Sequence, residues 1–414
     1  MKPPLGVAPV QDKVRLAYVV SHPIQYQAPL LRRIAQEPDI DLTVLFGSDF
    51  SIRGYKDEGF GVEVAWDTPL LEGYRSEFLP NLRDAEGVSP TTPISRGIYR
   101  RLRDADGSPA FDALWVHGYA SINALQAILA ANALGIPVLL RAESWLADRS
   151  RSPLKLAAKS IFLRALGRTI AATLPIGSAN AAYWRFYFGD SFPQFLMPYA
   201  VDNAYFARRA NQAAASETTL RAELNLEPDR PIILFASKLQ TRKHCDHLVE
   251  AYRALLGNPN SPDPYLVIVG DGEERTALEA RCRELNLTGL RFAGFQNQSV
   301  LPRYFHLADV FVLPSRHEPW GLIVNEAMAC ACPVIVSSDV GSAPDLVTNG
   351  VEGFIFPVGD IPALTAALQR VLATPQTSAA MGAAARSRVA AWSFEDDVRG
   401  LRAALAFVTR KLRP

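Results

Sequence analysis

Short apolar runs alternate along the chain with stretches of helical periodicity. In the first half the apolar runs lie at 14–20, 41–46, 112–117 and 136–141, and a clear helical pattern covers 121–133. The second half is more regular, with apolar runs at 231–236, 265–270, 290–294, 310–314, 333–337 and 353–357. Helical patterns lie between them, around 246–256, 273–286, 299–308 and 324–331. Continuous apolar strands that alternate with helices predict βαβ units and parallel sheets.

The length of the chain predicts more than one domain, because 414 residues exceed what one hydrophobic core usually serves. A polar stretch at 207–230 divides the two series of strands. We therefore predict two Rossmann-like domains, residues 1–200 and 201–390. Ligands of such sheets bind beyond the carboxyl ends of the strands, so the chemistry is expected directly after strands, in the cleft between the domains.

Composition narrows the range of partners and compartments. Lys and Arg total 43 against 42 Asp and Glu, and this balance gives no reason to expect a nucleic-acid partner. The spacing of the four cysteines (Cys245, Cys282, Cys330 and Cys332) is unlike a zinc site and suggests reduced thiols in a cytoplasmic protein. The start of the chain lacks signal-peptide features, and no uncharged apolar run is long enough to cross a bilayer.

One segment departs from this even distribution of charge. Between 149 and 185 the chain has seven basic residues and no acidic one: Arg149, Arg151, Lys155, Lys159, Arg164, Arg168 and Arg185. They accompany Leu, Ile and Phe on helical patterns. Two interpretations stay open, a solvated helix surface or a face that rests on anionic lipid.

Two carboxylates stand in an otherwise apolar region after the strand at 310–314. The stretch SRHEPWGLIVNEAMA carries Glu318 and Glu326 around Pro319, Trp320, Gly321 and Leu322. A helix is predicted to begin between 321 and 324, and amides at a helix start attract anionic oxygens. A carboxylate can accept from two hydroxyls at once, which suits the vicinal diols of a sugar. The alternative is that both are ordinary loop and helix-surface carboxylates.

A second polar cluster, SKLQTRKH, follows the strand at 231–236. It carries Lys238 and Lys243, and two ammonium groups beside a strand end are suited to a diphosphate. The alternative is a solvated loop in which screening removes most of their effect.

These motifs resemble those of the retaining glycosyltransferases of family 4, which have the GT-B fold. The Glu–seven residues–Glu signature of that family matches Glu318 and Glu326. Further similarity lies in ADVFVLPS, EAMACACPVIVS, VGDGEE, GFQNQ, PYAVDNAYF and AWSFEDD, so it extends over roughly 195–410. The resemblance implies an α/β protein of two Rossmann-like domains facing a central cleft, with a helix in 391–414 that crosses back to the first domain.

The resemblance also implies roles. Glu326 would bind the nucleotide ribose, Glu318 the hydroxyls of the donor sugar, and Lys238 and Lys243 the departing diphosphate. His117, after the strand of DALWVHGY, would support positive charge at the anomeric carbon. The donor-binding set further includes Gly270, Gln296, Asn297, Pro319, Trp320, Gly321 and Leu322.

The first domain is predicted to hold the acceptor. Where the family often has a Gly-Gly loop after strand one, this chain has SHPIQYQ, which places His22, Gln25 and Tyr26 in the cleft. Arg141 and Glu143, at another strand end, either line the acceptor side or pair with each other.

The activity implied is a hexosyl transfer from a nucleotide sugar with retention of configuration, without a metal or other cofactor. The acceptor would be a saccharide or a lipid-linked molecule of polysaccharide or glycolipid synthesis. The protein would be cytoplasmic, with peripheral contact to the inner face of the plasma membrane as a further expectation. Two rivals remain: a nucleotide-sugar epimerase or hydrolase of the same fold, and a non-catalytic sugar-binding protein.

Overall fold

The computed structural model describes residues 13–57, 59–83, 87–146, 152–258 and 261–410. The first domain is built on an open sheet. Its strands are β1 (Val14–Val20), β2 (Ile40–Phe46), β3 (Tyr55–Lys56), β4 (Glu63–Val64), β5 (Arg75–Phe78), β6 (Ala113–His117), β7 (Val138–Arg141) and β8 (Ala172–Thr173). Its helices are α1 (Ala28–Ala35), α2 (Ile98–Arg101), α3 (Ile122–Ala133), α4 (Pro153–Gly167) and α5 (Ser178–Phe188).

Six of these strands form a parallel sheet in the order β5-β2-β1-β6-β7-β8, and β3 pairs with β4 as a separate antiparallel hairpin. Except for the edge strand β5, these strands are largely buried and have a hydrophobic core on each face of the sheet. Leu16 and Tyr18 face one hydrophobic core, while Ala17 and Val19 face the other. This explains why the strand sequences are continuously apolar rather than alternating.

The second domain repeats this architecture. Its strands are β9 (Ile232–Ala236), β10 (Tyr265–Val269), β11 (Leu290–Gly294), β12 (Val310–Leu313), β13 (Val334–Ser337) and β14 (Gly353–Phe356). Its helices are α6 (Asn203–Ala213), α7 (Glu217–Glu223), α8 (Cys245–Leu256), α9 (Arg275–Glu284), α10 (Leu301–Leu307), α11 (Leu322–Ala329), α12 (Ala343–Leu346), α13 (Ile361–Val371) and α14 (Pro375–Val389). The parallel sheet has the order β11-β10-β9-β12-β13-β14. Two sheets of this kind confirm the predicted GT-B class.

The last helix, α15 (Phe394–Thr409), returns to the first domain. Its start is set by a capping box, in which Ser393 and Asp396 satisfy each other's backbone N–H groups. Val398, Leu401 and Leu405 then lie on one face of the helix and join the core around β1 and β2. The crossing helix expected from AWSFEDD is therefore present, while the exact domain limits stay a prediction.

Two features of the organisation were not predicted. The polar stretch at 207–230, which separates the two series of strands, is largely helical, since most of it forms α6 and α7. Phe206, Ala210 and Leu220 supply enough apolar surface on one side to anchor these helices in the core of the second domain. The short strands β3, β4, β5 and β8 were not predicted, because two to four residues carry too little periodicity. All four cysteines are free and buried.

Candidate active site

A cavity of about 470 Å³ lies in the cleft between the two domains, at the carboxyl ends of both sheets. The first domain lines it with residues after β1 and from the β3–β4 hairpin region. The second lines it with residues after β9, β11 and β12. The lining residues include His22, Gln25, Tyr26, Asp57, Phe60, Lys238, Arg242, Lys243, Gln296, Gln298, Glu318, Gly321, Leu322 and Glu326.

Lys243 and Glu318 form an ion pair at the centre of this cavity. Lys243 follows β9 on a single 3₁₀ turn and is 6% exposed. Burial lowers the pKa of Lys243, and the adjacent Glu318 carboxylate opposes that shift. Arg242 lies 3.3 Å from the same carboxylate, so Glu318 faces two cations. A diphosphate that displaced Glu318 would find positive charge already concentrated there.

Glu326 lies on α11 and is buried beside Gln298, whose Nε2 donates to its Oε1 at 2.9 Å. Burial raises the pKa of Glu326 to about 7, although the bond from Gln298 acts in the opposite direction. The helix begins directly after Gly321, which has a φ of 84°, a conformation that favours glycine. Glu318 and Glu326 therefore flank a helix start, as the spacing predicted.

The β3–β4 hairpin region reaches across the cleft and contacts the second domain. Lys238 donates to both oxygens of Asp57 at 2.7 and 2.9 Å, and its Nζ also lies 4.7 Å from the centre of the Phe60 ring. Burial opposes ionisation of Asp57, but Lys238 brings the net pKa of Asp57 below its usual value. Phe60 packs edge-on against Phe295 at 4.8 Å. The Asp57 carboxylate thus pairs with Lys238, the cation that we expect to bind a phosphate.

We expect the Asp57→Asn variant to bind a nucleoside diphosphate about two- to tenfold more tightly, since a half-buried ion pair contributes on the order of 1 kcal/mol. The reason is that Asp57 and the diphosphate compete for Lys238. Isothermal titration of both proteins measures the difference, with Asp49→Asn, in an exposed pair with Arg53, as the control. Weaker binding by Asp57→Asn would show that Asp57 supports the site rather than competing with it.

His117 belongs to a polar network beneath the first-domain side of the cleft. Tyr18 donates to Gln27 at 2.6 Å, and the Gln27 amide lies 3.2 Å from Nδ1 of His117. Nε2 of His117 lies 3.8 Å from Glu143. Burial alone would raise the pKa of Glu143, yet the nearby His117 and the hydrogen bonds from Tyr199 and Tyr26 lower this pKa to about 2. The Gln27 amide also lies 3.3 Å from Nε2 of His117, so the ring is held between Gln27 and Glu143.

Three of the remaining first-domain candidates, His22, Gln25 and Tyr26, line the cavity. His22 follows β1, shares a hydrogen bond between its Nδ1 and the Ser21 hydroxyl at 2.9 Å, and packs at a tilt against the Phe50 ring. Burial, followed by the nearby His117, lowers the pKa of His22 to about 4, so its ring is neutral near pH 7. Tyr26 donates to Glu143 at 3.0 Å. Gln25 lies on the same wall.

Arg141 does not line the acceptor side, nor does it pair with Glu143. It is 2% exposed and donates to Asp397 of α15 at 2.9 Å and to the carbonyl groups of Met197 and Pro198. The prediction for Arg141 was wrong because its partner comes from the last helix. Glu143 instead accepts from Tyr26 and from Tyr199, so the alternative of an Arg141–Glu143 pair was also wrong.

The predicted donor residues divide into two groups. Gln296, Gly321 and Leu322 line the cavity. The side chain of Trp320 does not, because it is 3% exposed, donates to Asn325 at 3.0 Å and packs on Trp392.

Three other residues of the predicted donor set make close backbone contacts or a hydrogen bond between the domains. Asn297 donates to the carbonyl of Ala65 across the cleft at 3.0 Å. Gly270 has a φ of 131°, and a side chain there would meet the Ser237 carbonyl. The backbone of Pro319 approaches Gly341 so closely that no Cβ would fit at that glycine.

Several lining residues were not predicted. Arg242 and Gln298 stand inside the motifs SKLQTRKH and GFQNQ, and each is the direct neighbour of a predicted residue. Asp57 and Phe60 lie in a stretch of the first domain with no strong periodicity. Nothing in that stretch indicates that it crosses the cleft.

Comparison with known protein families gives a match within the second domain. Residues 216–388 match the family model of glycosyl transferases group 1. The matched residues lie within the second domain and make up less than half of the chain. This match confirms the resemblance inferred from Glu318 and Glu326.

Among curated relatives, an uncharacterized glycosyltransferase of Methanocaldococcus jannaschii is 34% identical over 149 residues, which are 36% of this chain and 37% of the relative. A GDP-mannose-dependent alpha-(1-6)-phosphatidylinositol monomannoside mannosyltransferase of Mycolicibacterium smegmatis is 32% identical over 48% of this chain and 52% of its own length. This chain thus aligns with about half or less of the length of these two relatives.

Solved structures support the fold over nearly the whole chain. HepE of Anabaena in complex with UDP has a TM-score of 0.72 at 17% identity and covers 95% of this chain and 99% of its own. Sucrose-phosphate synthase of Thermosynechococcus elongatus has a TM-score of 0.67 at 21% identity, with 94% and 97% covered. Within the described residues, no helix combines the length and apolar character that crossing a bilayer requires.

Proposed function

We propose that the protein is a retaining glycosyltransferase that moves a hexosyl group from a nucleoside-diphosphate sugar to an acceptor hydroxyl. The observation that carries the proposal is the arrangement around the start of α11. There a buried lysine, an arginine and the amino-terminal end of α11 stand between two carboxylates in one cleft. Such a site is suited to a pyrophosphate with a sugar on either side.

In the proposed reaction the bond between the anomeric carbon and the phosphate oxygen breaks, and the acceptor oxygen bonds to that carbon on the same face. The leaving phosphate takes the acceptor proton. Arg242 and Lys243 stabilise the negative charge that develops on the leaving group, with Lys238 beside them. We propose that these cations and the helix amides serve without a metal ion.

The carboxylates hold the two ends of the donor. Glu326 accepts from the ribose hydroxyls and Glu318 from the donor sugar once the diphosphate has taken Lys243. His117, held by Gln27 and Glu143, supports positive charge at the anomeric carbon. Closure of the cleft then excludes water and limits hydrolysis of the donor.

Relatives support the classes of donor and acceptor. HepE binds UDP, and the Mycolicibacterium smegmatis relative takes GDP-mannose and a phosphatidylinositol mannoside. We propose a uridine or guanosine diphosphate sugar as donor and a saccharide or lipid-linked acceptor in polysaccharide or glycolipid synthesis.

Incubation with a panel of nucleotide sugars, with and without EDTA, tests this function. We expect slow release of nucleoside diphosphate from one donor, unaffected by EDTA, and an α-configured product by NMR when an α-linked donor is used with an acceptor. Interconversion of sugars without release would favour an epimerase. Binding without either reaction would favour a sugar-binding protein.

Nucleotide binding is expected to weaken as pH falls below about 7, by up to about tenfold per pH unit from Glu326. The sign follows because ribose hydroxyls donate hydrogen bonds and therefore favour the ionised carboxylate, whereas burial favours its protonated form. Titration calorimetry between pH 5.5 and 8 measures the dependence. The Glu326→Gln variant corrects for protonation of the ligand, and an equal pH slope in both proteins would contradict the assignment.

A further inference from the structure

Helix α4 is apolar on two opposite sides, yet only one of them is covered. Leu163 and Leu166 are buried in the core of the first domain, where α4 packs against α5. On the opposite side Leu154 is 81% exposed and Ile161 is 71% exposed. A helix that is apolar all round normally has both sides buried.

The exposed side is one continuous stripe. Leu154, Ala158, Ile161 and Ala165 recur at intervals of four, three and four residues, so they lie above one another on the helix, and all four are exposed. Phe186, on the neighbouring α5, is 66% exposed as well. We call Leu154, Ala158, Ile161 and Ala165 the α4 stripe.

Cations flank the α4 stripe on both sides. By the helical repeat, Lys155 lies on one edge, while Arg164 and Arg168 lie on the other, and all three are exposed. Residues 152–189 contain no Asp or Glu to neutralise them. Arg149 and Arg151, counted in the basic segment, lie outside the described residues. Long basic side chains beside apolar ones can keep their charge at a polar surface while their stems lie along apolar material.

We propose that this face docks on an anionic lipid bilayer, with the α4 stripe in the headgroup–acyl boundary and the flanking cations on lipid phosphates. A second copy of the chain fits the face less well. A two-fold symmetric contact through the α4 stripe would bring basic edges together, since α4 carries no carboxylate that could pair with Lys155, Arg164 or Arg168.

The position of α4 relates the surface to the cleft. The ring of Phe162 on α4 lies 6.3 Å from that of Tyr119, whose hydroxyl bonds to Ser144 beside Glu143 after β7. Lys159 holds α4 against α5 through the rings of Tyr183 and Tyr187, at 4.8 and 5.4 Å. Docking of α4 therefore brings the first-domain side of the cleft to the membrane, where a lipid-linked acceptor would be reached.

Flotation of the full chain with vesicles tests the proposal without any need for turnover. We expect at least about tenfold more protein on vesicles of phosphatidylcholine with phosphatidylglycerol than on phosphatidylcholine alone, because each basic residue near an anionic surface adds several-fold in affinity. The double change Arg164→Gln and Arg168→Gln should weaken binding on the order of 30-fold. Raised salt should weaken the wild-type protein in the same direction.

Ile161→Glu should abolish most of the binding, while Leu129→Glu serves as the matched control. Leu129 is 63% exposed on α3 and is not part of the α4 stripe. Thermal unfolding of both variants confirms that they fold. The proposal is overturned by equal binding to both vesicle types or by an equal loss in the Leu129 variant. It is also overturned if sedimentation shows that Ile161→Glu turns a dimer into a monomer.

Discussion

Replacing Lys243 with alanine is expected to slow sugar transfer by about 100- to 1,000-fold, the effect of removing one preorganised electrostatic group from a closed site. Lys243 is buried, so water does not screen its charge as it would on an open surface. The loss should appear mainly in kcat, because the charge on the leaving phosphate is largest in the transition state. Steady-state kinetics with the donor found in the panel measure it.

Loss of the fold must be separated from loss of the charge. Lys243→Ala also removes a positive charge from beside the Glu318 carboxylate, and this change by itself lowers the stability of the fold. The double variant Lys243→Ala with Glu318→Gln should regain thermal stability but not activity. Arg242→Ala removes a cation of which 44% of the side chain is exposed, and its smaller effect provides a second comparison. Near-normal turnover in a folded Lys243→Ala protein would remove Lys243 from the reaction.

Replacing Arg141 with methionine is expected to lower the free energy of unfolding by about 3–5 kcal/mol, the usual cost of breaking a buried ion pair. Asp397 is fully buried, and the 2.9 Å bond from Arg141 attaches α15 to the end of β7. The same guanidinium lies 4.7 Å from the ring centre of Tyr199, so shape as well as charge is lost. Urea unfolding, followed by circular dichroism, measures the change.

A surface pair provides the control for this prediction. Arg75 lies 3.2 Å from Asp41, but 61% of the Arg75 side chain is exposed, so Arg75→Met should cost about 1 kcal/mol or less. The double change Arg141→Met with Asp397→Leu should be less harmful than Arg141→Met alone, because no buried charge then stands unpaired. Equal effects of Arg141→Met and Arg75→Met would show that the buried pair contributes little.

The parts of the molecule that could be predicted share one property: neighbouring residues in the sequence determine their structure. Glu318, Gly321 and Glu326 belong to one strand–loop–helix unit, so their spacing alone brings them to one helix start. Lys238 and Lys243 follow a buried strand in the same way. Most strands of both sheets are continuous apolar runs because helices cover both of their faces.

The errors concern contacts between distant parts of the chain. Arg141 stands at the end of a strand, where a cleft residue is expected. Its side chain instead pairs with Asp397, which is 256 positions further along the chain. Asp57 reaches Lys238 over 181 positions, from a segment with no periodic pattern. Trp320 was expected to contact the donor, yet its side chain packs on Trp392 in the segment that leads into α15. Such pairings depend on how the two domains pack together, and no short sequence pattern specifies that packing.

We propose that a nucleoside diphosphate binds between the start of α11 and the cations after β9, which are Lys238, Arg242 and Lys243. A crystal structure of the protein with the nucleoside diphosphate of its donor tests this most directly. We predict that Lys243 Nζ and amides at the start of α11 lie within hydrogen-bond distance of phosphate oxygens, and that Glu326 accepts from the ribose. A nucleotide bound elsewhere, or one whose phosphates face away from Lys243 with its pair to Glu318 intact, would contradict the account.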